Sequence, residues 1–230
     1  GNPRRFARIS KRVSRRKPII AVKAGRTGAG RRAAGSHTAA LAADDVATEA
    51  LFHQTGVIRA DTLGEMFDLA AALSSQPLPK GRRVAILTNA GGLGILCADA
   101  CEANGLLVQE LSDEIKRQLR AFLPAAASVG NPVDMIASAS ATDFRKSVEI
   151  LLSDAAVDTL IVSTIDVGLT EISAINQNVR AAVAKSRDKG GAAKPVFTCF
   201  MDGEKLPKPT AEDRNQLPNF AFPENIARVL

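Results

Sequence analysis

One of the two histidines of the chain lies in a segment of small residues, Gly35-Ser36-His37-Thr38-Ala39-Ala40. Imidazole has an unperturbed pKa of about 6.5, so its neutral form is available as a nucleophile without prior loss of a proton. Small neighbours suit a loop that enters a tight site or moves between sites. We therefore predict that His37 carries a transferred group, for which a phosphoryl group is one candidate, and that Gly35, Ser36 and Thr38 support the loop. A histidine that is merely exposed or caps a helix is the alternative.

A glycine-rich turn, Asn89-Ala90-Gly91-Gly92-Leu93-Gly94, joins a predicted strand to a predicted helix. Glycines there let backbone N–H groups approach an anion, and the helix N-terminus adds about half a positive charge. Close packing of the helix on the strand is the alternative reason for glycine in such a turn. The turn matches neither the G-x-G-x-x-G dinucleotide fingerprint nor the Gly-Lys-Ser/Thr of a P-loop. The pattern alone therefore indicates an anion and no particular nucleotide.

Two further groups of residues are singled out by type. In the segment Gly130-Asn131-Pro132-Val133-Asp134, Asn131 and Asp134 either orient a ligand or bond only backbone groups in a sharp turn. Both roles stay open at this point. His53 has neither small neighbours nor a nearby carboxylate partner in the sequence, and we predict a structural role for it.

The elements that position these residues alternate between strands and helices. The first part of the chain predicts a strand at 18–24, a loop at 26–37, a helix from Asp44-Asp45 to Gly56, a strand at 57–60 and a helix at 63–73. The stretch 75–81 then holds two prolines and a glycine among polar residues. This composition is typical of a domain linker.

After the linker the alternation resumes. Strands are predicted at 83–88, 106–108, 159–163, 195–200 and 220–222, with helices from the glycine-rich turn to 104 and at 112–123, 142–153, 171–188 and 223–230. Such alternation predicts an α/β fold with parallel sheets and right-handed crossovers. Residues 80–230 then form a complete three-layer flavodoxin-like domain. Residues 1–79 hold too few strands for an independent sheet and predict the C-terminal part of a second, truncated flavodoxin-like domain.

Composition limits the class of protein. The 230 residues are 46% apolar, with no apolar run of about 18 residues and no signal-peptide-like region after the charged start. We therefore expect a cytoplasmic chain with no membrane partner. Cys97, Cys101 and Cys199 are too few and too badly spaced for a zinc site or a disulfide framework, so no metal site is predicted. Cys97 and Cys101 share a helix face, and we predict both as core residues.

The net charge of +6 originates at one end of the chain. Residues 1–32 hold twelve Lys or Arg and no acid, whereas the remainder holds 18 basic and 24 acidic residues. Phe6, Ile9 and Val13 form a helical stripe among these cations, and we favour a solvated amphipathic helix. A phosphate-rich ligand, an acidic partner subunit and a nucleic acid are the alternatives. No zinc-finger, RNP or clear helix-turn-helix signature accompanies the charge, so nucleic acid is not an expected partner.

Five segments, taken in order, carry a resemblance to a known family. They are residues 17–26, 35–42, 56–59, 87–92 and 128–134, with the sequences KPIIAVKAGR, GSHTAALA, GVIR, LTNAGG and SVGNPVD. The chain resembles the nucleoside-diphosphate-forming acyl-CoA synthetases, which include ADP-forming acetate–CoA ligase and succinyl-CoA synthetase. The likeness continues to the last residues, 222–230.

The resemblance implies a stepwise and reversible phosphoryl transfer. In this family acyl-CoA and phosphate give an acyl phosphate, a loop histidine takes the phosphoryl group, and ADP receives it to form ATP. By motif position that histidine is His37. The turn at Asn89, Gly91, Gly92 and Leu93 matches one of two helix N-termini that cradle phosphate in the family.

The resemblance also implies partners. The motifs found here leave out the family's CoA-binding domain, the first half of its second domain and its ATP-grasp domain. We therefore expect such partner domains or subunits, an oligomer, and a small carboxylic acid or acyl-CoA as substrate, with CoA, ATP or ADP and Mg2+ bound mainly outside this chain. The family's histidine-pairing glutamate also lies in the missing part, and Asp44 or Asp45 are candidates to replace it. The alternative is a ligand-sensing module of a protein acetyltransferase, although retention of His37 favours the catalytic form.

Overall fold

The chain folds into two units, each built from helices and a parallel sheet. The computed structural model describes residues 2–35, 45–188, 193–201 and 217–230. Residue contacts divide the chain into Gly1–Ala70, called unit 1, and Ala71–Leu230, called unit 2. This division falls within a helix, ahead of the linker expected at residues 75–81.

Unit 1 pairs two strands in parallel. In order along the described residues, its elements are α1 (Pro3–Val13), β1 (Ile19–Val22), α2 (Gly28–Gly35), α3 (Asp45–Thr55), β2 (Val57–Ala60) and α4 (Leu63–Ser75), which ends in unit 2. The strand register places Ile19 opposite Val57 and Val22 opposite Ala60. Both strands therefore end at the same edge, where the segments leading to α2 and α4 begin.

The stripe predicted on the basic helix contributes a single ring contact. Phe6 on α1 lies against Phe52 of α3, with 6.1 Å between ring centroids. Phe6 and Ile9 nevertheless remain 39% and 41% exposed. None of the ion pairs in the described part of the chain involves a cation of α1, so this helix presents its charge to its surroundings.

The loop predicted at residues 26–37 is wrong over Gly28–Gly35, which form α2. The Thr27 hydroxyl accepts a hydrogen bond from the Gly30 N–H at 3.1 Å, in the manner of an N-cap. Alanine and arginine occupy five of the eight positions of α2, and their high helix propensity outweighs the cost of the glycines.

Unit 2 is a three-layer α/β structure. Its remaining elements are β3 (Val84–Thr88), α5 (Gly91–Ala103), α6 (Asp113–Arg120), β4 (Val133–Asp134), α7 (Ala141–Ser153), β5 (Thr159–Thr164), α8 (Ile172–Asp188), β6 (Val196–Phe200) and α9 (Pro223–Val229). The sheet order is β4-β3-β5-β6, and every pairing is parallel. Helices α6, α7 and α8 share one core with the sheet, and α5 and α9 share the other. The predicted α/β fold with parallel sheets is confirmed.

Two predicted strands of unit 2 are wrong in extent. The strand expected at 106–108 is reduced to a single bridge between Leu107 and Arg83, and the one expected at 220–222 to a bridge between Asn219 and Thr198. Conversely, β4 forms within the segment predicted as a sharp loop. The cause is the Asn131 side chain, which bonds backbone groups of β3.

The cysteine prediction is confirmed, since Cys97, Cys101 and Cys199 are all buried free thiols. Within the described ranges, no helix is both long enough and apolar enough to cross a membrane.

Candidate functional site

The carboxyl edge of the unit 2 sheet is organised by the side chain of Asn89, which follows β3. The Asn89 amide donates to the Ile165 carbonyl at 3.1 Å, and its oxygen accepts from the Ile165 N–H at 3.1 Å. This reciprocal pair ties the glycine-rich turn to the end of β5. Asn89 is 5% exposed, and its polar atoms are engaged in this pair. The Asn89 side chain therefore positions the turn, and the phosphate-binding role of Asn89 stays a prediction.

The N-terminus of α5 carries backbone donors that no side chain caps. The N-cap residue Ala90 is extended, with φ −143° and ψ 107°, and offers no side-chain acceptor. The bond from the Gly94 N–H to the Ala90 carbonyl, 3.1 Å long, closes the first turn. The N–H groups of Gly91, Gly92 and Leu93 precede it and are the donors that a helix leaves unpaired. Together with the helix dipole they favour an anion at this point.

The glycines of the turn differ in what surrounds them. A Cβ at Gly91 would lie 2.8 Å from Asp134 Oδ2, and one at Gly94 would lie 3.1 Å from Thr88 Cγ2. Close approach therefore explains the absence of a side chain at these two positions. At Gly92 no heavy atom lies within 4 Å of such a Cβ, and the residue is exposed. Packing within the described part of the chain therefore does not explain glycine at position 92.

Asn131 completes the sheet beside β3. Its side-chain oxygen accepts from the Ile86 N–H at 3.0 Å, and its amide nitrogen donates to the carbonyls of Val84 at 2.8 Å and Gln109 at 2.9 Å. The amide thus occupies the place of a peptide group between Leu107 and β4, which explains why no continuous strand forms there. Of the two roles left open for Asn131, these bonds favour the backbone role.

Asp134 lies at the end of β4 and faces the same turn. Its Oδ1 accepts from the Ile136 N–H at 3.0 Å, while Oδ2 is the atom that a Cβ at Gly91 would meet. The carboxylate therefore limits the approach to Gly91 and leaves the open part of the helix terminus at Gly92. Ile136 has a φ of +62°, a left-handed conformation that is strained for a β-branched residue. The sequence does not indicate this left-handed conformation, because isoleucine does not favour positive φ.

A second polar cluster lies at the carboxyl edge of the unit 1 sheet. Arg59 of β2 donates through Nη2 to both carboxylate oxygens of Asp45 at 3.0 Å and through Nη1 to Glu49 at 2.6 Å. Lys23 approaches Asp45 at 3.6 Å, and Arg26 pairs with Asp61 at 2.7 Å. Arg59 Nε also lies 3.6 Å from Asp61, and we call these six residues the Arg59 cluster. No local pattern in the sequence indicates this cluster.

The charges of this cluster stabilise one another. The hydrogen bonds that Arg59 donates to Asp45 and then to Glu49 raise the pKa of Arg59, and the hydrogen bond from Arg59 lowers the pKa of Asp45 below its usual value. Asp45, Glu49 and Arg59 also line an open cleft of about 520 Å³ beside α3, together with the exposed His53. Asp45, proposed as a partner for His37, is thus already bonded to two cations. His53 keeps its prediction of a structural role.

The predicted carrier His37, with Ser36, Thr38 and Asp44, lies outside the described residues, which resume at Asp45. Gly35 is the last residue of α2. In the part of the chain that the structure describes, no three His, Cys, Asp or Glu side chains are placed to hold a metal ion. The described residues therefore do not fit a resident Mg2+ site.

The parallel sheets and the glycine-rich helix terminus define an α/β protein, and family comparisons give its class. Residues 1–73 match the Succinyl-CoA ligase like flavodoxin domain, and residues 84–215 match the Ligase-CoA domain. Because the second match covers more than half of its length, the chain belongs to the Ligase-CoA domain family. This confirms the resemblance drawn from the five segments.

Individual relatives carry ligase names. The acetate–CoA ligase [ADP-forming] II subunit alpha of Pyrococcus furiosus is 42% identical over an alignment of 228 residues that covers 97% of this chain and 49% of that protein. The acetate–CoA ligase [ADP-forming] I of Archaeoglobus fulgidus is 37% identical over 99% of this chain and 31% of its own length. The chain thus spans half the length or less of these relatives.

A solved relative is similar throughout. The dinucleotide forming acetyl-coenzyme A synthetase 1 of Ca. Korarchaeum cryptofilum, in complex with phosphate and ADP, has a TM-score of 0.84 and 29% sequence identity. The match covers 100% of this chain and 49% of that one.

Proposed function

We propose that this chain is the part of an ADP-forming acyl-CoA synthetase that carries the phosphoryl group, on His37, and that holds phosphate at the N-terminus of α5. The observation that carries the proposal is the exposed backbone at Gly92, where uncapped N–H groups meet a position with no packing neighbour. Membership in the Ligase-CoA domain family supports it. So does the name of a solved relative that contains phosphate and ADP.

The chemistry proceeds in three reversible steps. A phosphate oxygen attacks the acyl carbon of acyl-CoA, the thioester bond breaks, and CoA leaves as the thiol while an acyl phosphate forms. A ring nitrogen of His37 then attacks the phosphorus, and the carboxylic acid leaves as its anion. Finally a terminal oxygen of ADP attacks the phosphohistidine, which gives ATP and returns neutral imidazole. The N–H groups of Gly91, Gly92 and Leu93 contribute fixed donors for phosphate oxygens in the first two steps.

The remaining components of the reaction are assigned to partners. We propose a CoA-binding domain and an ATP-grasp domain or subunit, a small acyl group as substrate, and Mg2+ bound with the nucleotide. The subunit designation of a relative that this chain matches over 97% of its residues supports a multi-component enzyme. We also propose residues 1–79 and 80–230 as the two domains, which the separate family matches to 1–73 and 84–215 support. The phosphohistidine loop is then the segment at Gly35, Ser36, His37 and Thr38.

Phosphoryl transfer is tested by labelling. The chain, combined with CoA-binding and ATP-grasp domains, is incubated with γ-labelled ATP and Mg2+, and the product is analysed for an acid-labile, base-stable adduct. We expect the adduct to disappear in a His37→Ala variant and to persist in His53→Ala, because His53 is an exposed residue of α3. Equal labelling of both variants would refute the assignment of His37.

The phosphate site is tested by two matched glycine substitutions. Gly92 is the second residue of α5, and Gly64 is the second residue of α4, where the nearest atom to a Cβ is 3.8 Å away. Gly92→Ala and Gly64→Ala should each stabilise the chain by about 0.4 to 1 kcal/mol. Only Gly92→Ala should weaken binding of inorganic phosphate, because the new methyl group keeps phosphate away from the N–H groups. The loss should be about tenfold or more, since a charged hydrogen bond contributes about 1.5 to 3 kcal/mol. Unchanged phosphate titration in Gly92→Ala would remove the site from α5.

A further inference from the structure

We propose that Arg59 is a positioning residue for phosphoryl transfer, because it fixes the end of α3 at which the His37 segment returns to the fold. The inference rests on the proposed role of His37 and assigns a task to the Arg59 cluster. Among the described residues, Arg59 bonds acidic side chains and no group that we assign to the reaction. It acts through Asp45 and Glu49.

The Arg59 cluster includes the residue at which the described part of the chain resumes after the His37 segment. The His37 segment lies between Gly35, where α2 ends, and Asp45, where α3 begins. Lys23 directly follows β1 and pairs with Asp45. In sequence, the residue that follows the His37 segment is therefore Asp45, whose carboxylate pairs with Lys23 and also bonds the Arg59 guanidinium.

Helix α3 buries little of its surface. Of the α3 residues, only Thr55, at its far end, is buried, and Val46 in its first turn is 76% exposed. Apolar burial therefore does little to hold the first two turns of this helix. The side-chain bonds from Arg59 reach Asp45 in the first turn and Glu49 in the second, and so set the position and rotation of the helix start.

The Arg59 guanidinium bonds two acidic side chains at once. The Arg59 side chain is 13% exposed, less than either of the acids it bonds. One terminal nitrogen serves Asp45 and the other serves Glu49, which needs the planar fork of arginine rather than the point charge of lysine. Enclosed, bidentate contacts of this kind are stronger and more directional than exposed ion pairs. A merely solvated surface pair would lack both features.

A loop that presents a nucleophile depends on where its ends are fixed. Displacement of reacting atoms by about 1 Å can lower a rate about 100-fold. Release of the α3 start should therefore lower the rate of His37 phosphorylation while leaving the affinity of the enzyme for nucleotide unchanged, since nucleotide is assigned to another domain.

The experiment compares Arg59→Met with Arg59→Lys in the assembled ligase, and uses Arg83→Met as the control. Arg83 also makes two bonds to one aspartate, Asp158, but in unit 2. Single-turnover labelling of His37 from ATP should be slowed about 10- to 100-fold in Arg59→Met with an unchanged half-saturating ATP concentration, and partly restored in Arg59→Lys. Arg83→Met should keep its rate per folded molecule.

A second measurement separates this inference from the proposed function. Backbone amides in the first two turns of α3 should exchange with deuterium faster in Arg59→Met than in wild type or Arg83→Met, whether or not the enzyme is active. Labelling at the wild-type rate in Arg59→Met, or unchanged exchange, would overturn the positioning role. Absence of label on His37 in the wild type, with the exchange result as expected, would instead refute the proposed function.

Discussion

Replacement of Asn131 provides a direct test of how the unit 2 site is built. The Asn131→Ala variant removes the acceptor of the Ile86 N–H and the donor to the Val84 carbonyl, both on a strand that is almost completely buried. Each buried group left without a partner costs about 1 to 3 kcal/mol. The third bond, to Gln109, is exposed and water can replace it. With two such groups, we therefore expect a loss of about 2 to 6 kcal/mol in the free energy of unfolding.

Far-UV circular dichroism in urea is the suitable assay, because the chain contains no Trp or Tyr to report by fluorescence. Asn178→Ala is the matched control, since the half-buried Asn178 makes one bond within α8, to the Ala174 carbonyl at 3.0 Å. It should change stability by less than about 1 kcal/mol. In Asn131→Ala, hydrogen exchange should in addition accelerate at the Ile86 amide.

The Asn131→Asp variant sharpens the test. A carboxylate keeps the acceptor for the Ile86 N–H but turns an oxygen toward the Val84 carbonyl, which disfavours the charged form. The pKa of the new carboxyl should therefore be raised in the folded state. Its stability relative to wild type should then be greater at pH 4 than at pH 7, because stability tied to a raised pKa is lost as the pH rises through it. Wild-type stability of Asn131→Ala, with loss of phosphate binding, would refute the structural role and restore the ligand role.

Three further outcomes are expected in unit 2. Gly91→Ala should destabilise it by about 1 to 3 kcal/mol in urea titrations, since the new Cβ lies 2.8 Å from Asp134 Oδ2, and Asp134→Ala in the same chain should recover most of this loss. The hydrogen bond from Arg83 holds the pKa of Asp158 at about 2, against an ordinary value of 3.8, so about 2 kcal/mol of stability should be present above pH 4 and be lost as the pH falls toward 2. Urea midpoints that do not change over this range would contradict it, and Asp158→Asn should flatten the dependence. Burial raises the pKa of Cys199 to about 12, so its thiol should resist alkylation at pH 8 until urea unfolds the chain, and rapid labelling of the native protein would be the contrary result.

The sequence predicts the parts of the fold that hydrophobic pattern and capping control. Alternating strands and helices, the helix start at Ser112 and the inward cysteines all follow from such local signals. The strand predicted at 106–108 is wrong because the hydrophobic pattern does not show that a side chain takes the place of a strand in the hydrogen-bond ladder. Asn131 does so from 45 residues beyond Ile86. A contact of that separation leaves no trace in a local window.

The candidate site divides in the same way. Uncapped donors at the turn from Asn89 to Leu93 follow from strand, glycine and helix in succession, and were predictable. The separate reasons for Gly91 and Gly92 were not, because they depend on where Asp134 lies. Arg59 gave no signal either: an arginine at a strand end resembles a solvated charge until the fold brings Asp45 and Glu49 to it.

In both sheets, polar side chains make bonds in places where backbone pairing or apolar packing usually holds the structure. Asn89 and Asn131 bond peptide groups of β5 and β3, and Arg59 holds a helix start that lacks a buried apolar face. These side chains are engaged in bonds that hold the fold together. By elimination among the described residues of the glycine-rich turn, the backbone at Gly92 is what remains open, and a substitution there should separate phosphate binding from stability.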